Sequence, residues 1–581
     1  MKHNIFISLF LICSISTYSQ SLFKQRAINL EQEKIQSILD RDATASVIPI
    51  DLDIELLSKQ QDISFTVDGV TFLLSPIKFD VRGVNNFTAS YCSSDRVNSM
   101  VVSVFGDNIK GNLFLENGIW GIETIDSGEY VLVAIDQTAF PEEDEPYSYN
   151  YDNRSSTSAD ENTNEGRHTE MKAWPVISVL VMYTNEVASA HSYSEIVTEV
   201  FNAEAISNIS FGNSDLDCLF KVVYIGHTNY NEHSIFKTNL DRFVNLSDGY
   251  MDEVQNLREQ YSADVCMLIC NGGAGKCGRA ATIYAGADSA YCLVKYSCAA
   301  ENLSFPHEIG HLAGCRHDMY KDSTLTPYPH GHGFVKADKR WRTIMAYNNF
   351  CQDRGYSCVR LPYWSNVTIS YAGDAMGDEI YRNNARVWED RAEQLSYFRI
   401  TDDKTISSLD VINADYAHIF ADHTLKTSGA DVTISAGNNI TFQAGDSIIL
   451  KPGFHSAYGS FFHAYISDYD SAATHYTYNI LSMPKKHDIT SAKLNMQCSV
   501  SPNPIESNSK IVLTLDGDYS EINIDIVDLF GRNICNVASE KSLQEGEYFY
   551  QINSEYLPSG VMFVIVTSHN HILTSSKISK K

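Results

Sequence analysis

Twelve consecutive residues constrain this chain more than any others: His307-Glu308-Ile309-Gly310-His311-Leu312-Ala313-Gly314-Cys315-Arg316-His317-Asp318. On a helix His307 and His311 lie four apart on one face, so both imidazoles can reach one metal ion while Glu308 projects beside them. Two ligands do not close a site. Gly314 has no Cβ and can take a positive φ, which ends the helix and returns the chain so that His317 meets the same ion. Three histidines and an open fourth position are the layout of a catalytic zinc, since structural zinc is closed by four protein ligands, often cysteines. A bare HExxH pair can be an ordinary amphipathic helix. Six fixed positions at a few per cent each coincide by chance on the order of once in a hundred million windows.

The stretch matches the HExxHxxGxxHD signature of the metzincin metallopeptidases, and Thr343-Ile344-Met345-Ala346-Tyr347 resembles that family's Met-turn. Residues 174–400 also resemble the reprolysin-like and peptidyl-Asp metalloendopeptidase branches, through Cys277-Gly278-Arg279-Ala280, Trp341-Arg342-Thr343 and Asn384-Ala385-Arg386-Val387. The resemblance implies a zinc endopeptidase acting on protein or peptide substrates. His307, His311 and His317 would be its ligands and Glu308 the base that takes a proton from water and passes it to the leaving amine. It offers Tyr347 as a transition-state stabiliser against a plain packing role, Met345 as an apolar floor, and Asp318 as an anchor for the turn. A strand before the site helix would be the sheet edge that binds an extended peptide. Calcium is left open, with no motif that supports it. The reading from another class is a secreted protein-binding or adhesion protein on a metzincin scaffold; the presence of Glu308 favours the enzyme.

Met1 to Ser19 reads as a signal peptide, with Lys2, an apolar run from Ile5 to Ile15, and small residues before Gln20. The run is too short to span a bilayer, and no later stretch is long enough. A net charge of −28 argues against nucleic acid as a partner. Thirteen cysteines suit export, where disulfides persist. Nine lie between Cys218 and Cys358, around the site, and Cys315 is expected to tie to Cys351 or Cys358.

The fold class expected is α+β and multidomain: a metzincin catalytic domain of mixed sheet and helices, flanked by a β-rich propeptide and all-β C-terminal domains. The divisions are 1–19 signal peptide, 20–140 propeptide, 141–172 acidic disordered linker, 173–400 catalytic domain, 401–496 β-repeat spacer and 497–581 β-sandwich. The propeptide alternates in strand-like runs such as Met100–Val104 and Tyr130–Ala134. Its Cys92 is read as a buried thiol rather than a latency ligand. From Pro141 the composition turns to Glu, Asp, Asn, Ser and Thr, an exposed linker with Arg154, Arg167 and Lys172 as cut sites for a trypsin-like protease that would activate a latent precursor.

In the catalytic domain, Val176–Tyr183, Phe220–Tyr224 and Ala263–Ile269 read as strands, and Ser194–Ile209 and Gly249–Tyr261 as helices; Ser304 is the expected N-cap of the site helix. His330 and His332 read as a flexible surface loop, and Arg354 and Arg360 as surface arginines, although a basic wall there would prefer an acidic side chain. Beyond residue 400, Val432–Ile434, Ile440–Phe442 and Ile448–Leu450 repeat an apolar triplet every eight residues, suggesting a partial solenoid. The end of the chain, with Pro502-Asn503-Pro504, an Asp528-to-Gly531 turn, Leu557-Pro558-Ser559-Gly560 and terminal lysines, resembles the sorting domain of the type IX secretion system. That implies the secretion machinery as a partner and export across the outer membrane to the surface or medium.

Overall fold

The computed structural model describes residues 20–26, 32–83, 86–146, 175–272, 275–399, 401–407, 416–429 and 431–466, and in a second compact unit 497–505, 509–515, 519–527, 533–544, 546–554, 557–568 and 571–580. The signal peptide, the cut sites at Arg154, Arg167 and Lys172, and the turn at 528–532 lie outside these residues.

Residues 20–135 form a ten-stranded, mostly antiparallel sheet. Its alternating runs place Phe65, Tyr91, Met100, Leu113, Trp120 and Leu132 in one core. The first two strands, Gln20–Ser21 and Phe23–Gln25, sit at opposite ends of the strand order with one residue between them, so the sheet curls towards a barrel.

The central sheet has eight strands. Val176–Tyr183 pairs in parallel with Leu219–His227 on one side and Val265–Cys270 on the other. Tyr291–Lys295 extends it in parallel, and Gly278–Ala280 closes that edge antiparallel. These strands are buried, as parallel strands covered by helices are. The long helix Tyr193–Asn213 starts at a capping box made by Ser192 and Glu195 and runs past the expected end at Ile209. The site helix Ser304–Ala313 and the helix Asn384–Ser396 share one apolar core with it.

The solenoid beyond residue 400 differs from expectation in period and in place. Tyr416–Ala421, Asn439–Ala444 and Phe461–Ile466 stack in parallel with partners 22 or 23 residues apart, such as Tyr416 beside Asn439. The eight-residue spacing is the step from one side of a coil to the next, because the three triplets fall in three different sheets. Nor is this region set apart from the catalytic sheet: Tyr224 and Ile225 pair with Ala417 and Tyr416.

The second unit packs a three-stranded sheet and a four-stranded sheet, all antiparallel, around Ile511, Leu513, Ile522, Ile524, Val564 and Val566.

Candidate active site

The site helix is buried along its whole length. His307 Nε2 and His311 Nε2 lie 3.3 and 3.0 Å from His317 Nε2, and the three ligand atoms fall within 4.8 Å of one another. No other group of three metal-binding side chains gathers this way among the described residues. Each helical imidazole is oriented from behind. His307 Nδ1 faces Ile344 O at 3.0 Å and His311 Nδ1 faces Cys315 O at 2.9 Å; a carbonyl only accepts, so the protons sit on Nδ1 and the Nε2 lone pairs face each other. Burial keeps the rings neutral, pulling His307 down to about 4 and His311 and His317 well below the usual histidine range.

Gly314 ends the helix at φ +115°, with its N–H bonded to Gly310 O and His311 O. A Cβ there would lie 3.1 Å from the Tyr328 ring in a conformation L side chains avoid. Asp318 then pins the returning loop to the Met-turn: Oδ2 accepts from Tyr347 N at 2.9 Å and Oδ1 from Tyr320 N at 3.1 Å. Met345 is fully buried beneath the helix, where a Cβ on Gly310 would come within 2.8 Å of its Sδ.

Glu308 is fully buried, and neither carboxylate oxygen has a hydrogen-bond partner in the protein. Burial first, then the nearby charge of Glu143, holds its carboxyl well above the usual range. The edge strand passes against it: a Cβ on Gly278 would fall 2.3 Å from Glu308 Oε1. Three converging neutral imidazoles beside an unpartnered carboxylate fit a catalytic metal and its water.

The family model for metallopeptidase family M12 matches residues 175–357. Peptidyl-Asp metalloendopeptidases of Stenotrophomonas maltophilia and Xanthomonas campestris are 34% and 30% identical to this chain. The alignments cover 62% and 63% of it and 85% and 89% of those proteins. This chain belongs to metallopeptidase family M12. A second model, the secretion system C-terminal sorting domain, matches residues 499–581 and marks the metallopeptidase as type IX cargo sent across the outer membrane. Among its described residues no helix is long and apolar enough to cross a membrane.

Pro141–Pro146, expected in an exposed linker, instead lies along the edge strand Gly278–Ala280. Cys277 N donates to Glu142 O at 3.1 Å and Asp144 N to Gly278 O at 2.7 Å, which extends the sheet edge by one more segment. Arg279 pairs with Asp144. Between them Glu143 is 2% exposed, its carboxylate held by Arg360 Nη1 at 2.5 Å and Nη2 at 3.1 Å, Ser304 Oγ at 3.1 Å and Asn302 Nδ2 at 3.2 Å. Burial alone would raise this carboxyl; the Arg360 charge, its hydrogen bonds and the other groups around the carboxylate together outweigh burial and hold it far below the usual range. Tyr347 Oη donates to Glu143 O at 3.1 Å, and its ring lies 4.1 Å from that of His317.

Several expectations are corrected here. Arg360 is not a surface residue but 2% exposed, with both Nη atoms bonded to Glu143; Arg354 is exposed, over the Phe350 ring. Ser304 is the first helical residue rather than the N-cap, which is Leu303 at φ 57°, and this frees the Ser304 hydroxyl for Glu143. His330 and His332 are buried rather than on a surface loop; His332 Nδ1 faces His317 O at 2.8 Å and so braces the third histidine without joining the metal group. Cys315 remains a buried thiol in the core, while Cys351 pairs with Cys358 and Cys277 with Cys298. The second bridge ties the edge strand to the turn before the site helix. Cys92 is buried, its thiol pushed up to about 12 by burial, and lies outside the metal group. Asn302 carried no local signal beyond its place near the motif, and nothing local pointed to the contacts of Ser304 with Glu143 or of Gly278 with Glu308.

Proposed function

We propose that the metallopeptidase is a zinc endopeptidase selective for acidic residues and made as a latent precursor. His307, His311 and His317 would hold the ion, a borderline-soft cation that neutral imidazoles suit. Zinc bound there supplies Lewis acidity to a water and to the scissile carbonyl. Glu308 takes the proton of the attacking water as oxygen adds to the carbonyl carbon, and returns it to the amine as the C–N bond breaks, leaving one carboxylate and one amine. Tyr347 Oη already donates to a backbone carbonyl lying across the site, so it is placed to donate to the oxyanion as well. Gly278 aligns the peptide through backbone bonds, and its missing Cβ leaves room for the Glu308 side chain against the edge strand.

The observation that carries the selectivity is the hold of Arg360, Ser304 and Asn302 on the Glu143 carboxylate. Two charged hydrogen bonds from a planar guanidinium form a socket for a carboxylate side chain, and the relatives are named for action at Asp. The same contacts support latency, because the edge, the socket and Tyr347 are all taken by Glu142–Asp144. The test is cleavage of a proteome-derived peptide library by protein matured from the full chain, with zinc-chelated and Glu308→Ala samples alongside. Cuts beside Asp or Glu that disappear in both controls are expected; cuts with no acidic bias, or none at all from zinc-loaded mature protein, would sink the proposal.

A further inference from the structure

We infer that Arg279, on the edge strand Gly278–Ala280, recognises a second acidic side chain, so that the substrates the enzyme cuts best carry two acidic residues in a row, one held by Arg360 and its neighbour by Arg279. This rests on the acid-selective protease reading above and narrows its substrate class. The segment on the edge strand supplies the pattern: Glu142-Glu143-Asp144-Glu145 is four acids in succession, and each of them meets a cation of the catalytic domain.

The four contacts are unequal. Glu142 and Glu145 lie 3.5 and 3.6 Å from Lys321, and their side chains are 42% and 58% exposed. An ammonium at that distance in water contributes little. Asn349 also donates to Glu142 Oε1 at 2.6 Å, but a neutral amide serves the oxygen of a glutamine as well as that of a glutamate. Glu143 occupies the deep socket. Asp144 stands between these extremes: it pairs with Arg279, whose side chain is 10% exposed against 25% for the aspartate, and Lys276 Nζ lies 4.0 Å from the same carboxylate. A guanidinium is more weakly hydrated than an ammonium and is shaped to meet a carboxylate. This second contact therefore separates Asp from Asn, where those at the rim do not.

One extended peptide can satisfy both arginines. Adjacent side chains of an extended chain point to opposite sides, and here Arg360 meets Glu143 from the wall after the Met-turn while Arg279 meets Asp144 from the edge strand. The register is set by the backbone, since Asp144 N donates to Gly278 O at 2.7 Å and so delivers its carboxylate to the next residue along the edge. Arg279 is also rigidly placed. Its Cα faces Leu293 in the sheet, and Cys277, two residues earlier, is bridged to Cys298. It follows directly on the glycine that lies against Glu308, so the acid it holds sits beside the reacting bond rather than at a distant exosite.

The experiment measures kcat/KM at one bond in a set of synthetic peptides, using protein matured from the full chain. Each peptide carries one Asp for Arg360. Its neighbour on either side is Asp or Asn, and a further peptide carries the second Asp four residues away. A neighbouring Asp should outdo Asn about tenfold on one side, the size of a charged hydrogen bond discounted for partial exposure, and the distant Asp should bring no comparable gain. Arg279→Gln should reduce that ratio to about twofold or less, with Arg279→Lys in between, and Lys276→Gln should keep most of it. Arg279→Glu should turn the preference towards a Lys neighbour, a gain that a misfolded protein does not show. A ratio near one in the unaltered enzyme, an equal gain from the distant Asp, or a ratio that survives Arg279→Gln but falls in Lys276→Gln would overturn the inference. The same ratios are read as binding, by fluorescence anisotropy of labelled peptides on zinc-chelated matured protein, so the second contact is decided even where no peptide is cut. Failure of the acid-selective reading looks different: the first Asp, replaced by Asn, would then cost nothing.

Discussion

Two buried glutamates face each other across the cleft, and they are treated in opposite ways. Glu308, on the floor, has no protein hydrogen bond to either oxygen, and burial pushes its carboxyl up. Glu143, on the roof, is held by Arg360, Ser304 and Asn302 and is pulled down. A buried carboxylate left without partners costs stability, so a fold that keeps one reserves it for something that arrives. Removing one member of a fully partnered buried ion pair is costly, so under the proposed function Glu143 would act as a lock. On that reading floor and roof divide chemistry from restraint, and substitutions at the two should have opposite signatures.

The largest effect belongs to the floor. Glu308→Gln should lower kcat/KM of the mature enzyme by about 10²–10⁴, the range of a lost general base. It should leave the precursor's Tm unchanged or higher, because a neutral amide removes the repulsion from Glu143 and part of the burial cost. Thermal melts of the precursor and progress curves of the mature enzyme check both halves. A large fall in Tm would mean that Glu308 is a structural carboxylate after all.

On the roof the order reverses. Arg360→Met strands the Glu143 carboxylate, and removing one member of a buried pair costs about 3–5 kcal/mol. The precursor should become leaky, with Pro141–Pro146 open to an added protease, and the mature enzyme should lose its acidic bias. Arg360→Met combined with Glu143→Leu should close the precursor again, since an apolar pair removes the stranded charge. If the double variant stays as open as the single one, the lock lies elsewhere in the interface.

How much of this could be read beforehand follows the range of each contact. The ligand spacing, the Gly314 turn and the Met-turn are local, fixed by helix geometry and by one residue that tolerates φ +115°. The strands Val176–Tyr183 and Val265–Cys270 stand within two residues of their expected bounds because apolar runs declare themselves. The partnership of Glu143 with Arg360 spans 217 residues, and nothing near either one announces the other. An acidic stretch looks like a solvated linker until a guanidinium is found beneath it. The disulfides failed for the same reason: proximity of Cys315 to the metal loop in sequence says nothing of where its thiol points, and it points into the core. The solenoid misled differently, since its side-to-side step of eight residues is more regular to the eye than its true coil of 22 or 23.

Acid should loosen the roof more than the floor. The Glu143 carboxyl is depressed from its ordinary 4.5, so the closed form is favoured in full above that value, and the contribution is lost as pH falls below it and the carboxylate takes a proton. Accessibility of Pro141–Pro146 to an acid-tolerant protease should rise progressively as pH is lowered from 4.5 towards the depressed value of the carboxyl. Glu143→Gln should be leaky already at neutral pH and flatter across that range. An equal acid response in Glu143→Gln would assign the effect to the other carboxylates of the interface.

The smallest change tests whether floor and roof are separable at all, because Ser304 belongs to both. It is the first residue of the site helix, and its hydroxyl reaches Glu143 Oε1 at 3.1 Å. The helix does not use that hydroxyl as a cap: the N-cap is Leu303, and no side chain bonds the first turn. Alanine is at least as good a helix former as serine, so Ser304→Ala should leave the helix, the three imidazoles and zinc affinity as they are. Arg360 and Asn302 still hold the carboxylate, so the loss is one hydrogen bond of about 1 kcal/mol, and the leak of the precursor should rise about fivefold. Zinc titration and melting of the variant separate the outcomes. A weaker zinc site or a lower Tm without any added leak would place the hydroxyl in the service of the floor, and the division between the two glutamates would then not extend to the residues that hold them.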